Sequence, residues 1–195
     1  MAIDLLPGEL QRDYEVHEWK HACAVLSGDF PEQWHDMVEV LRAFRLRKAD
    51  ILAPGGGKSP ISQWFDRAFM QRGWHEKGFE TKIVVDAGEM LSPTHKVDCV
   101  KGSVALEIEW SNKDPFFDRD LNNFRLLFDL RAISVGVIIT KSDDLRPLFE
   151  ELNVWRKYGT STTWMNKLLP RIEGGGGGGC PLLVFGIGKQ RYVED

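Results

Sequence analysis

The chain has 195 residues, 43% of them hydrophobic, and a formal net charge of −4. That describes one globular domain with a full core and excludes a protein that grips nucleic acid by bulk positive charge, though not one with a local basic groove around an acidic site. Three cysteines without paired spacing (Cys23, Cys99, Cys180) and the lack of a signal peptide or membrane-spanning run point to the cytoplasm.

In chain order, His17 and His21 could share a helix face beside Cys23. No fourth ligand is near, and Glu15, Glu18 and Lys20 make the segment look solvated, so zinc is disfavoured. Asp29 and Pro31 open a helix predicted to run to about residue 48, with Trp34, Met37, Val38, Leu41 and Phe44 on its apolar stripe. Arg42, Arg45, Arg47 and Lys48 crowd its last turns, where the helix dipole alone favours cations. A glycine-rich loop at 53–57 precedes a second helix, with Ser59 as N-cap and Pro60 at the first helical position. Ile61, Trp64, Phe65, Ala68 and Phe69 follow at amphipathic spacing, and Gly73 closes the segment. The string GGGKS at 55–59 resembles a phosphate loop, but Leu52 stands where the Walker pattern needs glycine. A capped helix start touching a DNA phosphate fits better.

Residues 81–86 form a strand candidate, 118–131 a helix with Leu121, Phe124, Leu127 and Phe128, and 134–140 a strand apolar enough to be buried on both faces. Ser142 or Asp143 caps a helix carrying Leu145, Leu148, Phe149 and Leu152, and 182–187 is the last strand. The six glycines at 174–179 read as a loop where backbone must approach a neighbour closely. The whole is an α/β chain with one mixed sheet in a single domain spanning 1–195.

The strongest chemical pattern is the segment VDCVKGSVALEIEW at 97–110, read as a hairpin turning at Gly102 and Ser103. Strand alternation puts Glu107 and Glu109 on one face, with Leu106 and Ile108 pointing to a core. In that register Asp98 lies opposite Glu107, with Cβ atoms roughly 4.5–5.5 Å apart. Like charges that close need a counter-ion, and Mg²⁺ held against a phosphate ester is the natural one. The plainer alternative is three solvated carboxylates on an open sheet face. His95 lies near Asp98 but fits a loop histidine, and no G-x-S-x-G elbow supports a serine hydrolase. Ser111, Asn112, Lys113 and Asp114 continue from the acidic strand, and Gly159, Thr160, Ser161, Thr162 and Thr163 form a hydroxyl-rich loop. Both suit contact with bases or backbone, and both also suit ordinary turns.

Taken together, VDCVKGSVALEIEWSNKDPFFDRDLNNFRLLFD, ISVGVIIT, GTSTTWMNKL and RIEGGGGGGCPLLVFGI resemble the BglII/BstYI family of type II restriction endonucleases, from about residue 55 to 189. The resemblance implies the restriction-endonuclease-like PD-(D/E)xK core, a mixed β-sheet flanked by α-helices, acting as a homodimer on double-stranded DNA. By position Asp98 takes the first metal-ligand aspartate and Glu107 the central glutamate, with the backbone carbonyl of a neighbour such as Ile108 completing a Mg²⁺ site. Glu109 falls where the wider superfamily usually has lysine and this branch carries Glu or Gln. Ser111 and Asn112 match a base-approaching segment, Thr160 to Thr163 another, and Lys113 is a candidate for the missing cation. The family's targets imply a GATC-centred palindrome and a cognate methyltransferase in the same cell. Arg125, Arg131, Arg156, Lys157, Lys189 and Arg191 are the basic candidates for the DNA groove. A sequence-nonspecific or repair-type nuclease on the same core, or a catalytically silent DNA-binding protein, remain the rival expectations.

Overall fold

The computed structural model describes residues 2–86 and 88–194. Its centre is a six-stranded mixed sheet in the order β1-β9-β8-β7-β6-β3, formed by β1 (Tyr14–Trp19), β3 (His75–Lys77), β6 (Val97–Lys101), β7 (Val104–Ile108), β8 (Val135–Lys141) and β9 (Leu182–Ile187). β7, β8 and β9 run parallel, while β1, β6 and β3 pair antiparallel with their neighbours. Two small ribbons stand apart, the parallel pair β2 (Leu46–Arg47) with β10 (Tyr192–Val193) and the hairpin β4 (Glu80–Val85) with β5 (Gly88–Pro93).

Helices cover both faces of the sheet. On one side α6 (Phe116–Asp129) and α9 (Met165–Glu173) bury Phe117, Leu121, Phe124, Leu127, Met165 and Leu168 against Ala105, Ile138 and Val184. On the other side α1 (Gly8–Asp13), α2 (Ala22–Asp29), α3 (Pro31–Ala43), α4 (Lys48–Leu52), α5 (Pro60–Met70), α7 (Arg146–Glu151) and α8 (Trp155–Tyr158) pack a larger core onto Leu106, Ile108, Val137, Ile139 and Phe185. The parallel strands need long crossovers, and α6 supplies the one from β7 to β8. Every residue of β7, β8 and β9 is buried, as expected of parallel strands covered twice. Gly136 lets α6 come close to β8, since a Cβ there would sit 2.5 Å from Phe124 Cδ2.

Ser59 accepts a hydrogen bond from Ser62 N–H at 3.0 Å and caps α5, with Pro60 at its first position. β9 occupies the predicted 182–187, and α6 lies two residues earlier than expected. The hexaglycine turn lies against α6, where a Cβ on Gly178 would collide with Arg125 Cγ at 2.4 Å. α3 stops at Ala43, five residues short of the prediction, because Phe44 turns into an extended conformation and stacks on Phe65 at 4.5 Å. Arg45, Arg47 and Lys48 therefore lie outside that helix, and its dipole does not explain them. The segment holding His17 is strand β1, not helix, and His21 sits beyond it with φ of 59°, so the shared helix face does not form. Among the described residues no helix is long and apolar enough to cross a membrane.

Lys141, at the end of β8, is wholly buried and donates to the carbonyl of Trp110. The rings of Trp164, Trp110 and Tyr158 surround its ammonium at 5.0, 5.3 and 6.0 Å. Burial pushes the pKa of this amine well down.

Candidate active site

β6 and β7 join through a tight turn in which Gly102 has φ of +59°. Cys99 faces Leu106 and Lys101 faces Val104, so the register continues to Asp98 opposite Glu107. The two acids fasten the open end of the hairpin reciprocally. Asp98 N–H donates to Glu107 Oε2 at 3.2 Å, and Ile108 N–H donates to Asp98 Oδ2 at 3.1 Å. Each carboxylate therefore has one oxygen fixed by backbone and one left over. Glu107 is only 1% exposed, and its Oε1 meets no hydrogen-bond partner.

The open-face alternative does not hold for Glu107 and Glu109, because α6 roofs that side of the sheet. It brings Asp120, 1% exposed, over the two glutamates. Arg119 grips Asp120 Oδ1 through Nε and Nη2 at 2.8 and 2.7 Å and reaches Glu109 Oε1 at 3.6 Å. Asn112 donates to the same Glu109 oxygen at 3.0 Å. Glu109 Oε2 and Asp120 Oδ2 meet no donor from another group. Burial, then the charge of Asp120 and a proton shared with it, push the Glu109 pKa up to about 9. Burial, then the charges of Asp120 and Asp98, push Glu107 well above the usual carboxylate range.

Among the described residues no three His, Cys, Asp or Glu side chains form a ready metal cluster. Glu109 is turned toward Asn112, Arg119 and Asp120 instead of toward a shared centre with the other two acids. Mg²⁺ needs less than such a cluster, commonly one or two carboxylates with water and substrate phosphate. Asp98, partly open to solvent, and Glu107, with a buried unpartnered oxygen, meet that requirement.

The two hydroxyl-bearing segments predicted to touch DNA lie against each other, although about fifty residues separate them. Lys113 forms an isolated antiparallel bridge with Thr162, Thr163 N–H donates to the Asn112 carbonyl at 3.0 Å, and Lys113 Nζ meets Ser161 Oγ at 3.2 Å. Ser111, Lys113, Thr160 and Ser161 are exposed. The Thr162 hydroxyl is buried and donates to the carbonyls of Tyr158 and Gly159, so it shapes the loop. Lys189 lies past the end of β9, two strands away from β7, with its backbone N–H on Asp144. Arg191 is buried on Asp13, and the partly buried Lys157 donates to the carbonyls of Ile51 and Ala53, so both are engaged within the fold.

With this geometry in view, the restriction endonuclease BglII/BglIII family matches residues 14–187. The chain belongs to that family. No curated protein matches it. The endonuclease is accordingly a type II site-specific deoxyribonuclease whose substrate is DNA. Its match begins at the first residue of β1, a strand that escaped the sequence reading. Sequence reasoning also missed Asp120 and Arg119. The endonuclease did carry a sign of Asp120, a charged residue set within the apolar stripe of Phe117, Leu121, Phe124 and Leu127.

Proposed function

We propose that this endonuclease hydrolyses phosphodiester bonds of duplex DNA with Mg²⁺ at a short GATC-centred palindrome, leaving 5′-phosphate ends. The reading rests on one observation above others. Asp98 and Glu107, in a chain of this family, are locked together by reciprocal backbone hydrogen bonds, with a buried Glu107 oxygen left without a partner.

Asp98 and Glu107 would hold the metal, together with the carbonyl of Ile108. A bound Mg²⁺ supplies charge on the phosphate and a water of lowered pKa. The protein's own groups do the rest. The hairpin fixes Asp98 and Glu107 before DNA arrives, so little reorganisation remains. Glu109, held by Asn112 and Arg119, would turn from Asp120 to take the attacking water's proton once neighbouring negative charge is neutralised and its pKa falls. Attack in line expels the 3′ oxygen. Ser111, Asn112, Lys113, Thr160 and Ser161 supply contacts beside the scissile phosphate, and Thr162 holds their loop in shape.

A two-fold palindrome calls for a two-fold protein, so the endonuclease acts as a homodimer. A cognate methyltransferase protects the same sites in the cell. Digestion of a fully sequenced phage DNA with Mg²⁺, followed by mapping of the ends, tests the reading. Discrete fragments with a common GATC core and 5′-phosphates are expected from wild type, and none from Glu107→Ala. A ladder of random cuts, or full cutting by Glu107→Ala, refutes it.

A further inference from the structure

The GGGKS segment has no part in the reading above, yet the fold carries it to the metal-ligand aspartate. α5 packs on the sheet face opposite α6, with Phe65 and Phe69 in the larger core. Its Asp66 is mostly buried and accepts an ion pair from Lys58 Nζ at 2.5 Å. The same Nζ lies 3.9 Å from Asp98 Oδ1. That oxygen is the free one, since Ile108 N–H holds Oδ2.

Other cations near the acids are committed elsewhere. Arg119 is clamped on Asp120 and lies over the Phe116 ring at 4.2 Å. Lys141 leaves the sheet on the face opposite the acids and is sealed among aromatic rings. Lys113 meets Ser161 on the side of the 160–163 loop, and among the described residues it makes no ion pair with the acids. The Lys58 side chain is 46% exposed, and it follows three glycines whose added Cβ atoms would meet nothing within 4 Å. Gly56 has φ of +116°, a conformation other residues rarely adopt. An ammonium with three donors, one used on Asp66, stands at the mouth of the acidic site on an uncrowded tether.

The geometry points to Lys58 as the residue that contacts the scissile phosphate. When Asp98 Oδ1 turns to a metal, Lys58 keeps Asp66 and presents its remaining donors to a non-bridging phosphate oxygen. Asp66 is then a positioning residue, placing a cation where Glu109 offers a carboxylate. The inference rests on the nuclease reading and adds a role for the glycine loop that a nucleotide-binding pattern does not explain.

The test is a coupling measurement on binding. The cut linkage is mapped first, and two duplexes are made, one normal and one with an uncharged methylphosphonate at that linkage. Affinity is measured by fluorescence anisotropy with Ca²⁺ in place of Mg²⁺, for wild type, Lys58→Ala and Lys58→Arg. Lys58→Ala should bind the normal duplex about 10-fold or more weakly and the methylphosphonate duplex within about 2-fold of wild type. Lys58→Arg should recover part of the loss, and single-turnover cleavage by Lys58→Ala should fall by about 100-fold. Equal losses on both duplexes, or none, overturn the assignment while leaving the nuclease reading intact. A wild-type protein that cuts no duplex overturns both.

Discussion

Replacing Glu107 by Gln should make the metal-free protein more stable while abolishing cleavage. Glu107 is 1% exposed, has one oxygen without a partner, and faces the charges of Asp120 and Asp98. Two carboxylates about 5 Å apart repel by roughly 3 kcal/mol at an effective dielectric near 20. Burial and the charges of Asp120 and Asp98 favour the protonated form of Glu107. Its pKa in the folded protein is raised, so the folded state binds more protons than the unfolded chain, and stability falls as pH climbs above the ordinary value of 4.5. The loss is limited to about 1.4 kcal/mol per pH unit, which caps it at about 4 kcal/mol at pH 7.5. Glutamine keeps the shape, accepts from Asp98 N–H, and carries no charge. We expect a gain of about 1–3 kcal/mol at pH 7.5, or roughly 2–10 °C in Tm for a chain of this size. Thermal melts in EDTA at pH 5, 6, 7 and 8 would show the gain growing with pH, and phage-DNA digestion would show no cutting by the variant. A difference in Tm that is flat across pH, or a less stable variant at pH 8, refutes the electrostatic argument.

Metal binding to the wild type should release protons at pH 7.5, because Glu107 and Glu109 both hold protons above the usual range; calorimetry in two buffers of different ionisation enthalpy measures the number, and a value near zero contradicts it. Asp120→Asn removes a like charge and frees Arg119 for Glu109, so the Glu109 titration should move from about 9 toward the ordinary range, as followed by carboxyl NMR without metal. Gly136→Ala drives a Cβ into Phe124 and Leu182 and should cost about 1–3 kcal/mol, lowering Tm by roughly 2–10 °C. Sedimentation with a cognate palindrome should find two chains per duplex; one chain per duplex at micromolar concentration counts against the dimer.

The acidic hairpin was legible because its information is local. A period of two and a turn glycine fix the register, and the pairing of Cys99 with Leu106 carries Asp98 to Glu107. Ser59 and Pro60 announced α5 for the same reason. What escaped was set by distant partners. β1 becomes a strand because β9 offers it an edge, while its own sequence, YEVHEW, looks solvated. α3 ends early because Phe44 finds a ring to stack on. The Asp120 roof and the Lys58 reach depend on crossovers that place α6 and α5 on opposite faces of one strand pair. The pairing of 111–113 with the 160–163 loop likewise has no trace in either segment alone.

Asn112 belongs to two circuits. Its carbonyl is tied to Thr163, in the loop proposed to lie beside the DNA, and its amide to Glu109, the proposed proton acceptor. Asp98 and Glu107 are tied instead to their own hairpin. A mismatched base that tilts the loop would thus unsettle the proton transfer and spare the cation's seat. Discrimination against wrong sequences would show up as slow turnover with unchanged magnesium affinity, a kinetic veto exercised after docking.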